Sequence, residues 1–150
     1  DGNALTSVVE KFITEAMKEA DASGKSINAV IHEKLASLSE LVGGYDFAKV
    51  IEAYWIGHEQ DNDIQKANAI KWLRAEYSTK TDARNDLGVR TIISDTSFYD
   101  ALKLMSLFVR QAGYQGLALQ FHSFLTYQDG IHSIRRLSYH NNSHHAQWLS

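Results

Sequence analysis

The chain has 150 residues and contains neither cysteine nor proline. Without cysteine it has no disulfide, no thiolate nucleophile and no cysteine-ligated zinc or iron–sulfur site. Average usage of about 5% would give roughly seven prolines in a chain of this length, so their absence favours long, uninterrupted helices. Long hydrophobic runs are also missing, because no stretch approaches the roughly 18 apolar residues of a membrane span. The formal charge of −3 argues against general nucleic-acid binding over the whole surface.

Apolar side chains recur at helical spacing over most of the first 112 residues. A period of 3.6 residues predicts amphipathic helices that each bury one face. We expect four helices before residue 78 and another that begins at residue 98. The inward faces are predicted to carry, helix by helix, Leu5, Val8, Val9, Phe12, Ile13, Ala16 and Ala20; Ile27, Val30, Ile31, Leu35, Leu38 and Val42; Phe47, Val50, Ile51, Tyr54 and Trp55; Ile64, Ala67, Ile70, Leu73 and Tyr77; and Phe98, Ala101, Leu102, Met105, Phe108, Val109 and Ala112.

Polar residues and glycines mark several expected helix ends. Ser7 and Glu10 have the S-x-x-E spacing of a capping box near the start of the first helix. Gly24 is expected to end that helix, and Ser26 is expected to cap the next one. The polar stretch after residue 78 leaves room for one helical turn.

These patterns predict a mainly α fold. We expect an irregular bundle of about five helices with one candidate β-strand at residues 117–121. Residues 89–93 are short and β-branched, so strand and helix both remain open there. A helix, a Gly-containing turn and an apolar strand together form the αβ half of a βαβ unit, which is typical of α/β proteins.

The composition of the chain changes near residue 116. The last glutamate is Glu76, the last lysine is Lys103, and Asp129 is the single acid in the final 29 residues. Five of the seven histidines also lie in those final residues: His122, His132, His140, His144 and His145. We therefore divide the chain into a helical region at 1–116 and a divergent, His-rich C-terminal segment at 117–150.

Gly24, Lys25 and Ser26 look like the tail of a phosphate-binding loop. That motif needs another glycine five residues before Gly24, where this chain has Glu19, and it follows a strand rather than a helix. A helix C-cap followed by an N-cap accounts better for these three residues.

The His-rich segment offers the candidate metal ligands His140 and His144. Two histidines four residues apart share a face of a helix, as paired metal ligands often do. A structural zinc needs four ligands and a catalytic zinc three, and no acid other than Asp129 is near. A solvated His-rich segment is therefore the favoured interpretation, and metal capture is the alternative.

Other polar residues give no catalytic assignment. His32 and His58 are interpreted as exposed or packed histidines, and no Ser/His/Asp grouping stands out by its spacing. The four cations Lys80, Arg84, Arg90 and Arg110 are candidates for a phosphate-facing cluster, with a solvated surface as the alternative.

The stretch from residue 79 to 119 resembles a known family. It reads TKTDAR at 79–84, LGVRTII at 87–93, FYDALKLM at 98–105 and FVRQAGYQGL at 108–117. It is similar to the segment that leads into the Walker B strand of the P-loop ATP-binding proteins of BREX phage-defence systems. The resemblance extends less specifically through the helical residues 5–77.

The resemblance implies ATP and Mg²⁺ as cofactors of the parent family, held by a phosphate-binding loop and by an Asp-Glu pair at the end of a strand. The positions expected to carry that pair are His122 and Ser123 here, and residues 1–150 contain no phosphate-binding loop. We therefore expect no cofactor in this chain and no assignable catalytic residue.

Two functional hypotheses follow. The first is a fragment of a cytoplasmic phage-defence ATPase that is itself inactive, which agrees with a chain that starts at Asp1 instead of an initiator methionine. The second is a stand-alone helical protein–protein interaction module. Under either hypothesis an exposed apolar face is expected to bind the remainder of the parent ATPase or a second copy of the chain. No membrane contact is expected, and nucleic acid is considered for the parent only.

Overall fold

The structure, a computed structural model, describes residues 2–114 and is mainly α in that part of the chain. It contains six helices: α1 at Gly2–Ser23, α2 at Ile27–Ser39, α3 at Gly44–Glu59, α4 at Asp63–Leu73, α5 at Lys80–Leu87 and α6 at Phe98–Gln111. The mainly α prediction is confirmed, and α5 is longer than the single turn expected after residue 78. The candidate strand at 117–121 lies outside the described residues.

Helix α3 is the centre of the bundle and packs against α2, α4 and α5, while α1 and α6 pack against each other and against α2. The core is anchored by three aromatic rings from helices that are distant in the chain. The rings of Phe12 and Phe108 lie 4.9 Å apart between centroids, and those of Phe47 and Phe108 lie 5.6 Å apart. Because these rings belong to α1, α3 and α6, their packing closes the bundle.

The predicted face of α4 is partly wrong. Leu73 and Tyr77 are buried as predicted, but Ile64 is 76% exposed, and Ala69 and Trp72, which the prediction omitted, are buried. The indole N–H of Trp72 donates to the Thr91 carbonyl at 2.8 Å, which turns this face of α4 inward. A helix of 11 residues has too few apolar positions for its periodicity to specify the buried face.

Two further expectations near helix ends are wrong. Val42 is 73% exposed, because α2 ends at Ser39 and Val42 lies in the following turn. Ser7 and Glu10 do not form a capping box at a helix start, because α1 already begins at Gly2. The Glu10 carboxylate instead accepts a hydrogen bond from the Tyr54 hydroxyl of α3.

The predicted junction between α1 and α2 is confirmed. Gly24 ends α1 with a φ of 73°, and its N–H donates to the Ala20 carbonyl at 2.9 Å. Ser26 is the N-cap of α2, and its hydroxyl oxygen accepts from the Ala29 N–H at 3.1 Å. Side-chain oxygens at this position satisfy one of the donors that a helix start leaves unpaired.

Residues 89–93 are neither helix nor strand. The segment is fixed by Asp46, which is only 5% exposed in the first turn of α3. Its carboxylate oxygen Oδ2 accepts from the N–H of Arg90 at 3.1 Å and from the N–H of Thr91 at 2.9 Å. These bonds satisfy backbone donors that would be left unpaired without a sheet.

None of the six helices between residues 2 and 114 combines the length and apolar composition that a membrane span needs.

Candidate functional site

Four basic side chains line one cavity of about 580 Å³ on the surface of the bundle. We name it the basic pocket and define it by Lys49, Lys80, Arg84 and Arg90. Lys49 comes from α3, Lys80 and Arg84 from α5, and Arg90 from the segment after α5. The site therefore exists only where three separate parts of the chain meet.

Helix α5 presents its two cations together because they are four residues apart. The helix begins where the Thr79 hydroxyl oxygen accepts from the Asp82 N–H at 3.1 Å. Gly88 ends it with a φ of 71°, a backbone conformation that glycine adopts without strain, and the chain then turns back toward α3. This turn brings Arg90 to the same cavity as Lys80 and Arg84.

The cations of the basic pocket are not neutralised by direct contact. Within residues 2–114, none of the four forms an ion pair with a carboxylate, although Asp82 and Asp86 lie on the same helix as Lys80 and Arg84. Lys49 instead lies over the Tyr45 ring, with 6.0 Å from Nζ to the ring centroid. Asp46 is buried and bonded to backbone N–H groups.

The acid near the C-terminal end of α5 also has a hydrogen-bond partner. Asp86 accepts a hydrogen bond of 2.8 Å from the Tyr77 hydroxyl. Burial, followed by this bond to Asp86, raises the pKa of Tyr77 above its usual value. Asp86 therefore acts as an acceptor for a neutral phenol and leaves the cations of the basic pocket unpaired.

The structure brings together three of the four cations that the sequence suggested as a cluster. Arg110 lies on α6 and does not line the basic pocket. Lys49 was missed, because its place on α3 reads as an ordinary polar position of an amphipathic helix. No local pattern shows that α5 packs beside that helix.

A second group of polar residues, which we name the paired cluster, joins α1, α3 and α4. It consists of Glu10, Tyr54, His58 and Lys66. Lys66 Nζ lies 3.4 Å from Glu10 Oε1, and His58 Nδ1 lies 3.8 Å from Glu10 Oε2. Burial, followed by the hydrogen bond to Glu10, raises the pKa of Tyr54. The opposite charges of this cluster face each other, which is typical of a structural contact.

The remaining histidine candidates give no metal site in the described part of the chain. His32 is exposed, with Nδ1 3.5 Å from Glu52 Oε1, and His58 stacks on Trp55 at 5.7 Å between ring centroids. Residues 2–114 contain no group of three or more potential metal ligands. His140 and His144 lie outside the described residues.

The Gly24-Lys25-Ser26 junction has no free cation. Lys25 Nζ lies 3.2 Å from both carboxylate oxygens of Glu33. The Gly24 N–H is directed to a carbonyl of α1, and the Ser26 hydroxyl caps α2. In a phosphate-binding loop, the same three groups would face a phosphate.

Apolar side chains are exposed at the turn between α2 and α3. We name this surface the apolar corner and define it by Leu41, Val42 and Tyr45, of which Val42 and Tyr45 are 73% and 66% exposed. Val42 also lines a cavity of about 200 Å³ together with Ile93 and Leu104. Because exposed apolar patches mark protein–protein contacts when they are large, the apolar corner is a candidate for such a contact.

The basic pocket and the apolar corner are the two candidate binding surfaces of this helical bundle. The family comparison is more specific. The model of the family described as "BREX system ATP-binding protein BrxC/D" matches residues 1–142. The chain therefore belongs to this family of phage-defence ATP-binding proteins. No curated protein and no solved structure matches the sequence.

Proposed function

We propose that the chain is a helical fragment of a BREX ATP-binding protein and that its own residues neither hold nor hydrolyse ATP. The observation that carries this proposal is the Gly24-Lys25-Ser26 junction. Its lysine pairs with Glu33, and its glycine and serine end one helix and start the next. These residues do not fit a triphosphate, which needs backbone donors and a free lysine in a loop between strand and helix.

The sequence supports the same proposal at the expected metal site. P-loop ATPases hold Mg²⁺ through a carboxylate and position water through another polar group, which stabilises the charge of the transition state. His122 and Ser123 stand where the family resemblance expects the acidic pair. ATP and Mg²⁺ would then bind in the part of a family member that carries the phosphate loop.

Association with protein is the role that the surface supports for this module. The apolar corner would bury Leu41, Val42 and Tyr45 against the remainder of a BREX ATP-binding protein, or against a second copy when the chain is alone. The alternative, a stand-alone interaction module, uses the same surface. The two hypotheses name different partners but use the same apolar contact.

ATP binding tests the first part of the proposal. Isothermal titration of the 150-residue chain with Mg-ATP is expected to show no saturable binding at micromolar concentration. The variant Lys25→Ala and its control Lys18→Ala, on the exposed side of α1, are expected to give the same result. Micromolar binding that is lost in Lys25→Ala and kept in Lys18→Ala would contradict the proposal.

Sedimentation velocity tests the second part. We expect the chain to form dimers at high concentration and Val42→Glu to shift it to the monomer. Ile64→Glu is the matched control, because Ile64 is equally exposed but lies on α4, away from the apolar corner. A wild-type chain that stays monomeric at high concentration would contradict self-association.

A further inference from the structure

We propose that the basic pocket binds the phosphodiester backbone of nucleic acid, independently of base sequence. This site is separate from the Gly24-Lys25-Ser26 junction. It adjoins the apolar corner, where Lys49 lies over the Tyr45 ring, but it offers charge and not apolar surface, so it goes beyond the function proposed above. It rests on the positions of Lys49, Lys80, Arg84 and Arg90 around one cavity.

The first argument is the treatment of charge in the rest of the molecule. Outside the basic pocket, Lys11, Lys18, Lys25, Lys34, Lys66 and Arg74 each lie within 3.5 Å of a glutamate oxygen. Between residues 2 and 114, Lys71, Lys103 and Arg110 have no such partner, but none of these three lines the basic pocket. The four cations of the basic pocket have no such partner within residues 2–114, although they lie around a common space. Like charges held together repel one another, and an anion in that space relieves the repulsion.

The second argument is the chemistry of the donors. The guanidinium groups of Arg84 and Arg90 each offer a planar fork that matches two phosphate oxygens, and the two lysines add compact charges. Thr81, which also lines the cavity, supplies a hydroxyl. Hydroxyls, lysines and arginines are the groups that proteins use for contacts with nucleic-acid phosphates.

The third argument concerns which phosphate compound fits. Recognition of a mononucleotide uses a surface for the base, an acceptor for the ribose hydroxyls and usually a carboxylate for Mg²⁺. Among the described residues, no aromatic ring and no carboxylate lines the basic pocket, and the Tyr45 ring lies outside the lining with Lys49 over it. The lining is suited to phosphate groups alone, as presented in series by a nucleic-acid backbone.

The net charge of the chain limits the size of the contact. A chain with a formal charge of −3 repels nucleic acid except at a local positive surface. Four cations neutralise at most about four phosphates, which predicts a slope no steeper than about −3.6 for the logarithm of affinity against the logarithm of salt concentration.

Fluorescence anisotropy with a labelled 20-base-pair DNA duplex, titrated with the full 150-residue chain at several NaCl concentrations, tests the proposal. We expect binding at 50 mM NaCl that weakens linearly on the logarithmic scale. Arg84→Ala is expected to weaken binding at low salt several-fold and to reduce the slope by about 1. Arg110→Ala is the matched control and is expected to change neither quantity, because Arg110 lies outside the basic pocket.

Three outcomes would overturn the proposal. One is the absence of binding at 50 mM NaCl, and another is an equal loss in Arg84→Ala and Arg110→Ala, which would show a diffuse charge effect. The third is displacement of the duplex by micromolar inorganic triphosphate, which would identify a compact anion as the ligand. The Arg84 side chain is exposed, so Arg84→Ala is expected to fold, and circular dichroism of the variant checks this.

Discussion

The paired cluster and the basic pocket both include residues of α3, but they use charge in opposite ways. In the paired cluster, the Glu10 carboxylate lies between Tyr54, His58 and Lys66 and accepts from or pairs with all three. Beside the basic pocket, the carboxylate of Asp46 points inward and is bonded to backbone N–H groups. Glu10 in the paired cluster therefore neutralises side chains, whereas Asp46 beside the basic pocket supports the backbone.

This difference separates stability from ligand binding. The paired cluster ties α1, α3 and α4 together, so its loss should weaken the fold. The cations of the basic pocket make no ion pair in the described chain, so their loss should leave the fold intact. Four predictions test this contrast, in order of decreasing effect.

Asp46→Ala is expected to have the largest effect. It leaves the N–H groups of Arg90 and Thr91 without their acceptor beneath the basic pocket, at an expected loss of about 3 kcal/mol in the free energy of unfolding. Urea denaturation measures the loss. The control Asp21→Ala, at an exposed position of α1, should stay within about 0.5 kcal/mol of the wild type. Equal midpoints for the two variants would show that residues 89–93 do not depend on Asp46.

Glu10→Ala tests the paired cluster itself. The change removes the acceptor of the buried Tyr54 hydroxyl and the partner of Lys66, and we expect a loss of about 2 kcal/mol in the same measurement. Glu59→Ala, at the exposed end of α3, is the control and should cost little. The contrast between the two regions would fail if Glu10→Ala destabilised no more than Glu59→Ala.

Alkaline pH should weaken the paired cluster. The pKa of Tyr54 is raised in the folded chain, so the folded state keeps a proton that the unfolded state releases near pH 10. This stabilisation is present below about pH 10 and is lost as the pH rises toward the folded-state pKa. The free energy of unfolding should have fallen by about 1.4 kcal/mol at pH 11.

Unfolding in urea between pH 8 and pH 11 measures this dependence. Tyr54→Phe should make it shallower, and the exposed Tyr99→Phe should not. Tyr77, whose pKa is also raised, supplies part of the remaining dependence. An identical pH dependence in wild type and Tyr54→Phe would refute the assignment.

Arg84→Ala is expected to have the smallest effect. Removing one of two like charges four residues apart on α5 relieves repulsion, but Arg84 also lies in the last turn of α5, where a cation is favourable. Because the two contributions oppose each other, the free energy of unfolding should stay within about 0.5 kcal/mol of the wild type, as for Arg110→Ala in the last turn of α6. Any residual change should disappear at 0.5 M NaCl because salt screens surface charges. A marked destabilisation by Arg84→Ala would show that Arg84 supports the fold, and it would contradict the contrast between the two regions.

Local patterns predicted the helices that carry many apolar residues, and they were less reliable for short segments. The stripes of α1 and α3 identify the positions that are buried, including Phe12 and Phe47. The short α4 exposes Ile64 because Trp72, bonded to Thr91, decides which face turns inward. For the basic pocket, the sequence supplied Lys80, Arg84 and Arg90 but could not separate them from Arg110.

The sequence by itself determined the mainly α class, the junction at Gly24 and Ser26, and the resemblance to a BREX family that the family model then matched. These properties depend on periodicity, capping and local motifs, which are encoded within a few neighbouring residues. Tertiary structure alone decided three contacts. Glu10 accepts a hydrogen bond from Tyr54, and Asp46 holds residues 89–93. Lys49 lines one cavity together with Lys80, Arg84 and Arg90. Charges are paired or left unpaired by distances between helices, and packing across the whole bundle sets those distances.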